Sequence, residues 1–322
     1  MVLLLSEADV SSILDVETVV DRMEVAFREL ARGRTMNPSR STIQVPQTHG
    51  TFRLMPSVML DSRTSGFKVL TGTAGHRRPD RTYFLVALLD YEDGSVRCLM
   101  GASRLTQVRT GAASALATRY LARKDSRSFG LIGAGLQGRG QLEAICATMR
   151  PSLVLVHDHG REKAEGLAEL ARAEFGAEAR AVSSADEAAA ADVVSTATTS
   201  TSPILSLSNV REGTHVNAVG SNVPARRELG MDLLKASRLV VDLREQAVQE
   251  AGDLEPIRRG ELPPETVFAE LGEIVLGVKP GRASDSQITV FKSVGIALQD
   301  VAVAALLYET AVARGVGTEV SL

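Results

Sequence analysis

Between residues 128 and 243 the chain alternates short apolar runs with alanine-rich stretches, and this alternation restricts its possible folds more than any other feature. The runs are SFGLIGAGLQG, LVLVHDH, ADVVSTAT, THVNAVGSN and RLVVDL, and helical stretches such as 162–174 and 185–191 lie among them. Strands without polar alternation are covered on both faces, and strand–helix repetition places them in a parallel sheet flanked by helices.

The first turn of this region is Gly133-Ala134-Gly135-Leu136-Gln137-Gly138. A predicted strand, Phe129 to Ile132, precedes it and a helix follows. In that setting Gly133 permits the tight turn, Gly135 lets backbone approach a pyrophosphate, and Gly138 allows close helix packing. The N–H groups of the helix start, Leu136 and Gln137 among them, hold the anion. The next strand, Leu153 to His157, ends in Asp158, 23 residues after Gly135. An acid there accepts hydrogen bonds from an adenosine ribose and repels a 2′-phosphate, so NAD is expected ahead of NADP. Arg161 softens that preference, because an arginine nearby can hold a 2′-phosphate. Ligands of open α/β sheets sit beyond the carboxyl ends of the strands. Thr198, after ADVVS, and Gly220 with Asn222, after HVNAV, therefore join the cofactor set, as does Thr110.

The first third follows a different pattern. Residues 7–33 read as an amphipathic helix or helix pair, and 36–50 as a polar stretch containing proline. TFRLMPSVML and SGFKVLTGTAG read as strands, and YFLVALLDYEDGSVRCLMGA as a hairpin turning at Asp93-Gly94. A helix begins near Ser103, its candidate cap. ITVFK is a last strand, and the long helix ending at Gly315 is apolar around more than half its circumference, so it should be buried and return to the amino-terminal domain. Four cations stand out in this part: Arg40, Arg53, Lys68 and Arg109. Arg53 and Lys68 sit beside apolar strand positions, and Arg109 follows Val108 near a helix start. Cations against apolar walls suit capture of a carboxylate, and a lysine so placed can exchange a proton with an amine or imine nitrogen.

A length of 322 residues suits two domains, and a net charge of −3 with 23% charged residues gives no sign of nucleic-acid or membrane partners. Cys98 and Cys146 have neither disulfide-framework nor zinc-ligand spacing, so no metal is expected and both read as buried small hydrophobes. The start, MVLLLSEADV, is too short for a signal sequence, which makes a cytoplasmic location the expectation.

The stretches RLMP (53–56), GFKVLTG (66–72), LTQVRTGAASALATRYLA (105–122), LIGAGLQG (131–138), VNAVGSNVPARREL (216–229), EAGDL (250–254) and SDSQITVFKSVGIALQD (284–300) closely resemble the ornithine cyclodeaminase/mu-crystallin family, which includes archaeal-type alanine dehydrogenases and ketimine reductases. The resemblance runs through nearly the whole chain. It implies an α/β fold in which a Rossmann dinucleotide-binding domain, 123–292, is inserted in a mixed α/β substrate and dimerisation domain, 1–122 plus 293–322. It also implies a homodimer through the amino-terminal domains. Carried over by position, Lys68 matches the family's catalytic lysine, while Arg40 and Arg109 match the pair that holds the substrate carboxylate.

Cyclodeaminases carry a glutamate where this chain has Arg53 and an aspartate where it has Asn222. Arginine attracts no ammonium and asparagine takes no proton, so both departures argue against ornithine cyclisation. The resemblance thus implies an NAD(H)-dependent imine reductase or amino-acid dehydrogenase acting at the α-carbon of a small amino, imino or 2-oxo acid, with Arg53 reading a second acidic or carbonyl group. A redox-neutral cyclodeaminase and a non-catalytic ligand-binding homologue are the alternatives. Side-chain specificity is expected to lie in 36–50 and 72–82.

Overall fold

A computed structural model of the chain describes residues 1–48, 50–75 and 78–321. Strand β1 (Val2–Leu5) opens the chain, followed by helices α1 (Glu7–Ile13) and α2 (Val16–Ala31). Strands β2 (Thr35–Met36), β3 (Ser41–Val45), β4 (Gly50–Met59), β5 (Thr64–Gly75), β6 (Arg78–Leu89) and β7 (Val96–Gly101) lead to helix α3 (Ser103–Leu121). Next come β8 (Ser128–Ile132), α4 (Leu136–Met149), β9 (Leu153–His157), α5 (Arg161–Phe175), β10 (Glu178–Ala181), α6 (Ala185–Ala189), β11 (Val193–Thr196) and β12 (His215–Ala218). They are followed by α7 (Met231–Ala236), β13 (Arg238–Val241), α8 (Arg244–Glu250), α9 (Glu255–Arg258), β14 (Val267–Glu270), α10 (Leu271–Val275) and β15 (Thr289–Lys292). Helix α11 (Ala297–Arg314) and β16 (Thr318–Val320) end the chain.

The described residues form two compact units, Met1–Arg109 with Ile296–Leu322, and Thr110–Gly295. In the first, one sheet runs in the order β16-β1-β7-β6-β5-β4-β2, with β3 also on β4. The β4-β5-β6-β7 meander is antiparallel throughout. One face of it, carrying Met55, Lys68, Val86 and Met100 in a single row of partners, is buried. Helix α11 packs across β4, β5 and β6 and against α2. Its residues 297–305 are all buried, as their apolar circumference requires, while Glu309 and Val312 near its end are exposed.

The second unit holds eight strands, all parallel, in the order β10-β9-β8-β11-β12-β15-β13-β14. Its apolar core gathers Ile132, Val194, Val216, Leu239 and Val290 from the strands with Leu233, Ala247 and Leu254 from their covers. This is the α/β Rossmann arrangement that the alternation predicts.

The structure departs from the sequence reading at several places. The polar stretch 36–50 holds strand β3, which lies along β4 with every residue exposed; its short Thr42-Ile43-Gln44-Val45 alternation is hidden between Pro38 and Pro46. The opening VLLL is a strand between β7 and β16. Ser103 is the first residue of α3 rather than its cap. The Glu7 carboxylate does the capping, accepting from the N–H groups of Ser103 at 2.7 Å and Arg104 at 3.2 Å. Residues 7–33 resolve as a pair of helices because Asp15 caps the second.

Candidate functional site

In the first unit, two candidate cations meet over one carboxylate that the sequence reading did not single out. Lys68, from the middle of β5, sends its Nζ to Asp300 Oδ2 at 2.7 Å, and Arg109 Nε lies 3.0 Å from Asp300 Oδ1. Asp300 stands in the first turn of α11, and all three side chains are buried. Arg109 also donates to Oε1 of the buried Gln299. Burial is the largest influence on Lys68 and pushes its ammonium down to about 7; Asp300 opposes this, while the charges of Arg109 and Arg40 add to it.

Arg40, half-buried ahead of β3, thus stands near enough to act on Lys68. Arg53 lies on the same sheet face as Lys68, one row along from Met55, and donates from Nε to Thr42 Oγ1 at 3.1 Å. Lys68 and Arg53 therefore share one face of the sheet, and Arg109 and Arg40 act on Lys68 from outside it. Asn37 belongs with them: its Oδ1 accepts the N–H of Leu298 at 2.8 Å, at the start of α11. Among the described residues, Asn37 Nδ2 and Gln299 Nε2 are buried without a hydrogen-bond partner. Two amide donors beside buried arginine and lysine suit a carboxylate or carbonyl ligand. Of the stretches expected to set specificity, residues 49, 76 and 77 lie outside the described residues.

In the second unit the glycine turn has the form its sequence implies. Gly133 has φ +101°, a backbone that favours glycine, and a Cβ on it would meet the Ala197 carbonyl at 2.6 Å. A Cβ on Gly138 would come within 1.9 Å of the Gly133 carbonyl. Gly135 differs: its φ is ordinary and a Cβ would meet nothing within 4 Å. Neither conformation nor packing requires glycine there, which leaves room for a ligand at the backbone. Gly135 is also the N-cap of α4 and makes no side-chain cap, so the helix opens on backbone donors. Leu136, at the first helical position, is exposed, and among the described residues the Gln137 Oε1 atom is buried without a partner. These features fit a dinucleotide pyrophosphate.

Asp158, at the end of β9, accepts from the N–H of Ala134 and of Gly160, each at 2.7 Å. It therefore locks the glycine turn. Thr110 is buried on α3, where its carbonyl accepts from Gln141 of α4 at 3.3 Å. The neighbouring Gly111 lets α3 and α4 touch, since a Cβ there would lie 2.0 Å from the Gly140 carbonyl.

A buried acid, Glu228, ties two further candidate loops together. Its Oε1 accepts from the N–H and hydroxyl of Thr198, at 2.8 and 2.9 Å, and its Oε2 from the N–H of Gly220 at 2.7 Å. Asp253 in turn accepts from the Glu228 and Leu229 N–H groups and faces Lys292 at 3.3 Å, with both charged residues fully buried. Asn222 stands on this loop, with its Oδ1 3.5 Å from Arg226 Nη1. Glu228, Asp253 and Lys292 escaped the sequence reading because they serve neighbouring backbone that only the fold brings near. Cys98 and Cys146 are free and buried, and burial pushes each thiol up to about 12. No described helix is long and apolar enough to cross a membrane.

Comparison with known proteins agrees with this arrangement. Residues 1–315 match the model of the ornithine cyclodeaminase/mu-crystallin family. The chain is similar to the Delta(1)-pyrroline-2-carboxylate reductase of Bacillus cereus, 35% identical over 323 residues and 99% of each chain. It resembles the structure of Thermococcus litoralis Delta(1)-pyrroline-2-carboxylate reductase in complex with NADH and L-proline, with 39% identity, a TM-score of 0.93, and coverage of 99% of this chain and 100% of that one. An archaeal alanine dehydrogenase dimer with bound NAD matches with 34% identity and a TM-score of 0.93, covering 100% of this chain and 99% of that one.

Proposed function

Because the chain belongs to the ornithine cyclodeaminase/mu-crystallin family, we propose that it is an NAD(H)-dependent oxidoreductase acting at the α-carbon of a small imino or amino acid, with a cyclic imino acid of the pyrroline-2-carboxylate kind as substrate. The observation that carries this reading is the buried cluster of Lys68, Arg109 and Asp300, two cations sharing one anion. Its net positive charge in a dry setting favours a carboxylate, and a lysine near neutrality can both give and take a proton.

The glycine turn at 133–138, Asp158, and the loops of Thr198 and Gly220 would hold the dinucleotide, with Thr110 beside them. When bound, it supplies the hydride that reduces the imine carbon. Arg109 and Arg40 hold the substrate carboxylate through charge-assisted hydrogen bonds. Lys68 gives its proton to the imine nitrogen as the carbon is reduced, and takes it back in the amine-oxidising direction. Arg53 reads a further acidic or carbonyl group where the substrate has one. No carboxylate stands at positions 53 or 222, so the chain has no group there for the distal amine of ornithine.

The unit Met1–Arg109 with Ile296–Leu322 is assigned to substrate and dimerisation, and Thr110–Gly295 to the dinucleotide. A homodimer is supported by the sheet face opposite Lys68. Ile43, Phe52 and Tyr83 fall in one row of strand partners, with Leu85 in the next, and all four are exposed. An apolar face of that kind marks an interface. Free, buried cysteines agree with a cytoplasmic location.

A panel of cyclic imino acids, and of 2-oxo acids with ammonium, tests the reading through loss of the reduced-nicotinamide absorbance. One NADH should be consumed per imine reduced. Ammonia release from ornithine or lysine without net absorbance change would identify a cyclodeaminase instead, and no turnover of any of these would leave a binding protein.

A further inference from the structure

Among the described residues, Asp300 is the one carboxylate in contact with both cations at the heart of the proposed substrate site. The strand partners of Lys68 across β4 and β6, Met55 and Val86, are apolar. The charged groups that act on Lys68 are Asp300 from α11, Arg109 from α3, and Arg40 from the segment ahead of β3. A buried ion pair is a poor stabiliser compared with apolar residues of the same volume, so its presence calls for another reason. Here the reason follows from the charge count. Without the carboxylate, Lys68 would be sealed in apolar surroundings beside two arginines, with burial and both neighbours driving off its proton.

We propose that Asp300 is a positioning residue for the reaction: shared between Lys68 and Arg109, it aims the ammonium at the start of α11 and keeps that ammonium protonated, so that a proton donor exists when the imine arrives. Gln299, one residue earlier, holds the other side of the Arg109 guanidinium and leaves Asp300 divided between the two cations. A substrate carboxylate entering this cluster competes with Asp300 for Arg109, and Lys68 then becomes the main partner of Asp300. Binding of the acid and readiness of the proton are thereby linked through one side chain.

The test reads Lys68 directly and needs no substrate. The chain has six lysines, Lys68, Lys124, Lys163, Lys235, Lys279 and Lys292. Lysine labelled with 13C at Cε gives six resonances, and that of Lys68 is the one lost in Lys68→Met. Native protein should titrate at this position near neutrality, and Asp300→Asn should move the midpoint down by at least about one pH unit. Asp300→Glu, which restores the charge on a longer arm, should bring the midpoint back toward native while kcat for imine reduction stays down by about tenfold. Should Asp300→Asn fail to fold, Arg109→Gln carries the same test with the opposite sign, since removing a neighbouring cation should raise the midpoint.

A midpoint unmoved by Asp300→Asn in a folded variant would overturn the inference. The kinetic arm rests on the imine-reductase reading: the alkaline fall of kcat/KM should move with the Lys68 midpoint. Because the titration does not depend on that reading, a shifted midpoint in a protein that reduces no imine would overturn the assigned reaction and leave the role of Asp300 standing.

Discussion

The two units of this chain prepare for negative charge by opposite means. The first uses whole charges on side chains, Lys68 and Arg109, brought together from β5 and α3 and balanced by Asp300 from α11. The second uses the partial charges of backbone N–H groups at the start of α4, exposed by a glycine that packs against nothing. Its carboxylates turn onto backbone: half-buried Asp158 on Ala134 and Gly160, and buried Glu228 on Thr198 and Gly220 and Asp242 on Val294 and Gly295. The difference teaches where sensitivity lies. A site of buried side-chain charges answers to pH and to loss of any partner, whereas a backbone site answers to added atoms.

Four experiments set that contrast at risk. The largest effect is expected at Lys68: Lys68→Ala should cut imine reduction by about 10²–10⁴-fold, the range for loss of a positioned proton donor. NADH binding, followed by fluorescence, should stay as in the native protein. Second, Gly138→Ala and Gly135→Ala should separate cleanly. The added methyl at 138 must displace the Gly133 carbonyl and should cost about 1–3 kcal/mol, a fall of several degrees in Tm. At 135 the methyl meets open space, so Tm should hold while NADH binding weakens by roughly tenfold, about 1.4 kcal/mol. Equal effects at both positions would mean that Gly135 serves the fold.

Third, Asp158→Ala should narrow the preference for NADH over NADPH, measured as a ratio of dissociation constants, because it removes the group that repels a 2′-phosphate. The same change frees the Ala134 and Gly160 N–H groups, so some loss of stability should accompany it. The smallest effect concerns His215, fully buried on β12 between Thr289 and Asn217. Burial pushes this imidazole down from 6.5 to about 3. The unfolded chain therefore takes up the proton first, so the stability that neutral His215 provides is complete above pH 6.5 and is lost as pH falls toward 3. Thermal unfolding across pH 7 to 4 should show this decline, and His215→Asn should flatten it.

How much could be read beforehand follows the same division. The turn at Gly133, Gly135 and Gly138 was legible because its signal is local: strand, glycines and helix adjoin in sequence. Lys68 was legible as a cation between Phe67 and Val69, and its strand does bury it. Asp300 was missed although a signal existed, since IALQDVAVAALL places a glutamine and an aspartate in a helix otherwise apolar all round. A helical stretch buried on every side has no solvent for such a pair, so they must meet partners. Glu7, the cap of α3, had no readable signal, because its target lies almost a hundred residues away. The strand β3 was missed although Thr42, Ile43, Gln44 and Val45 alternate, because so short a run between Pro38 and Pro46 reads as part of a polar loop.

The central claim is that hydride reaches the α-carbon of an imino acid while Lys68 supplies the proton. NADH carrying deuterium at the transferred C4 position, incubated with the protein and a cyclic imino acid, tests it most directly by mass spectrometry of the amino acid formed. The account predicts one deuterium per product molecule, placed at the α-carbon, and none above background with Lys68→Ala. Product whose α-hydrogen comes from solvent, or product formed equally well without Lys68, would contradict it.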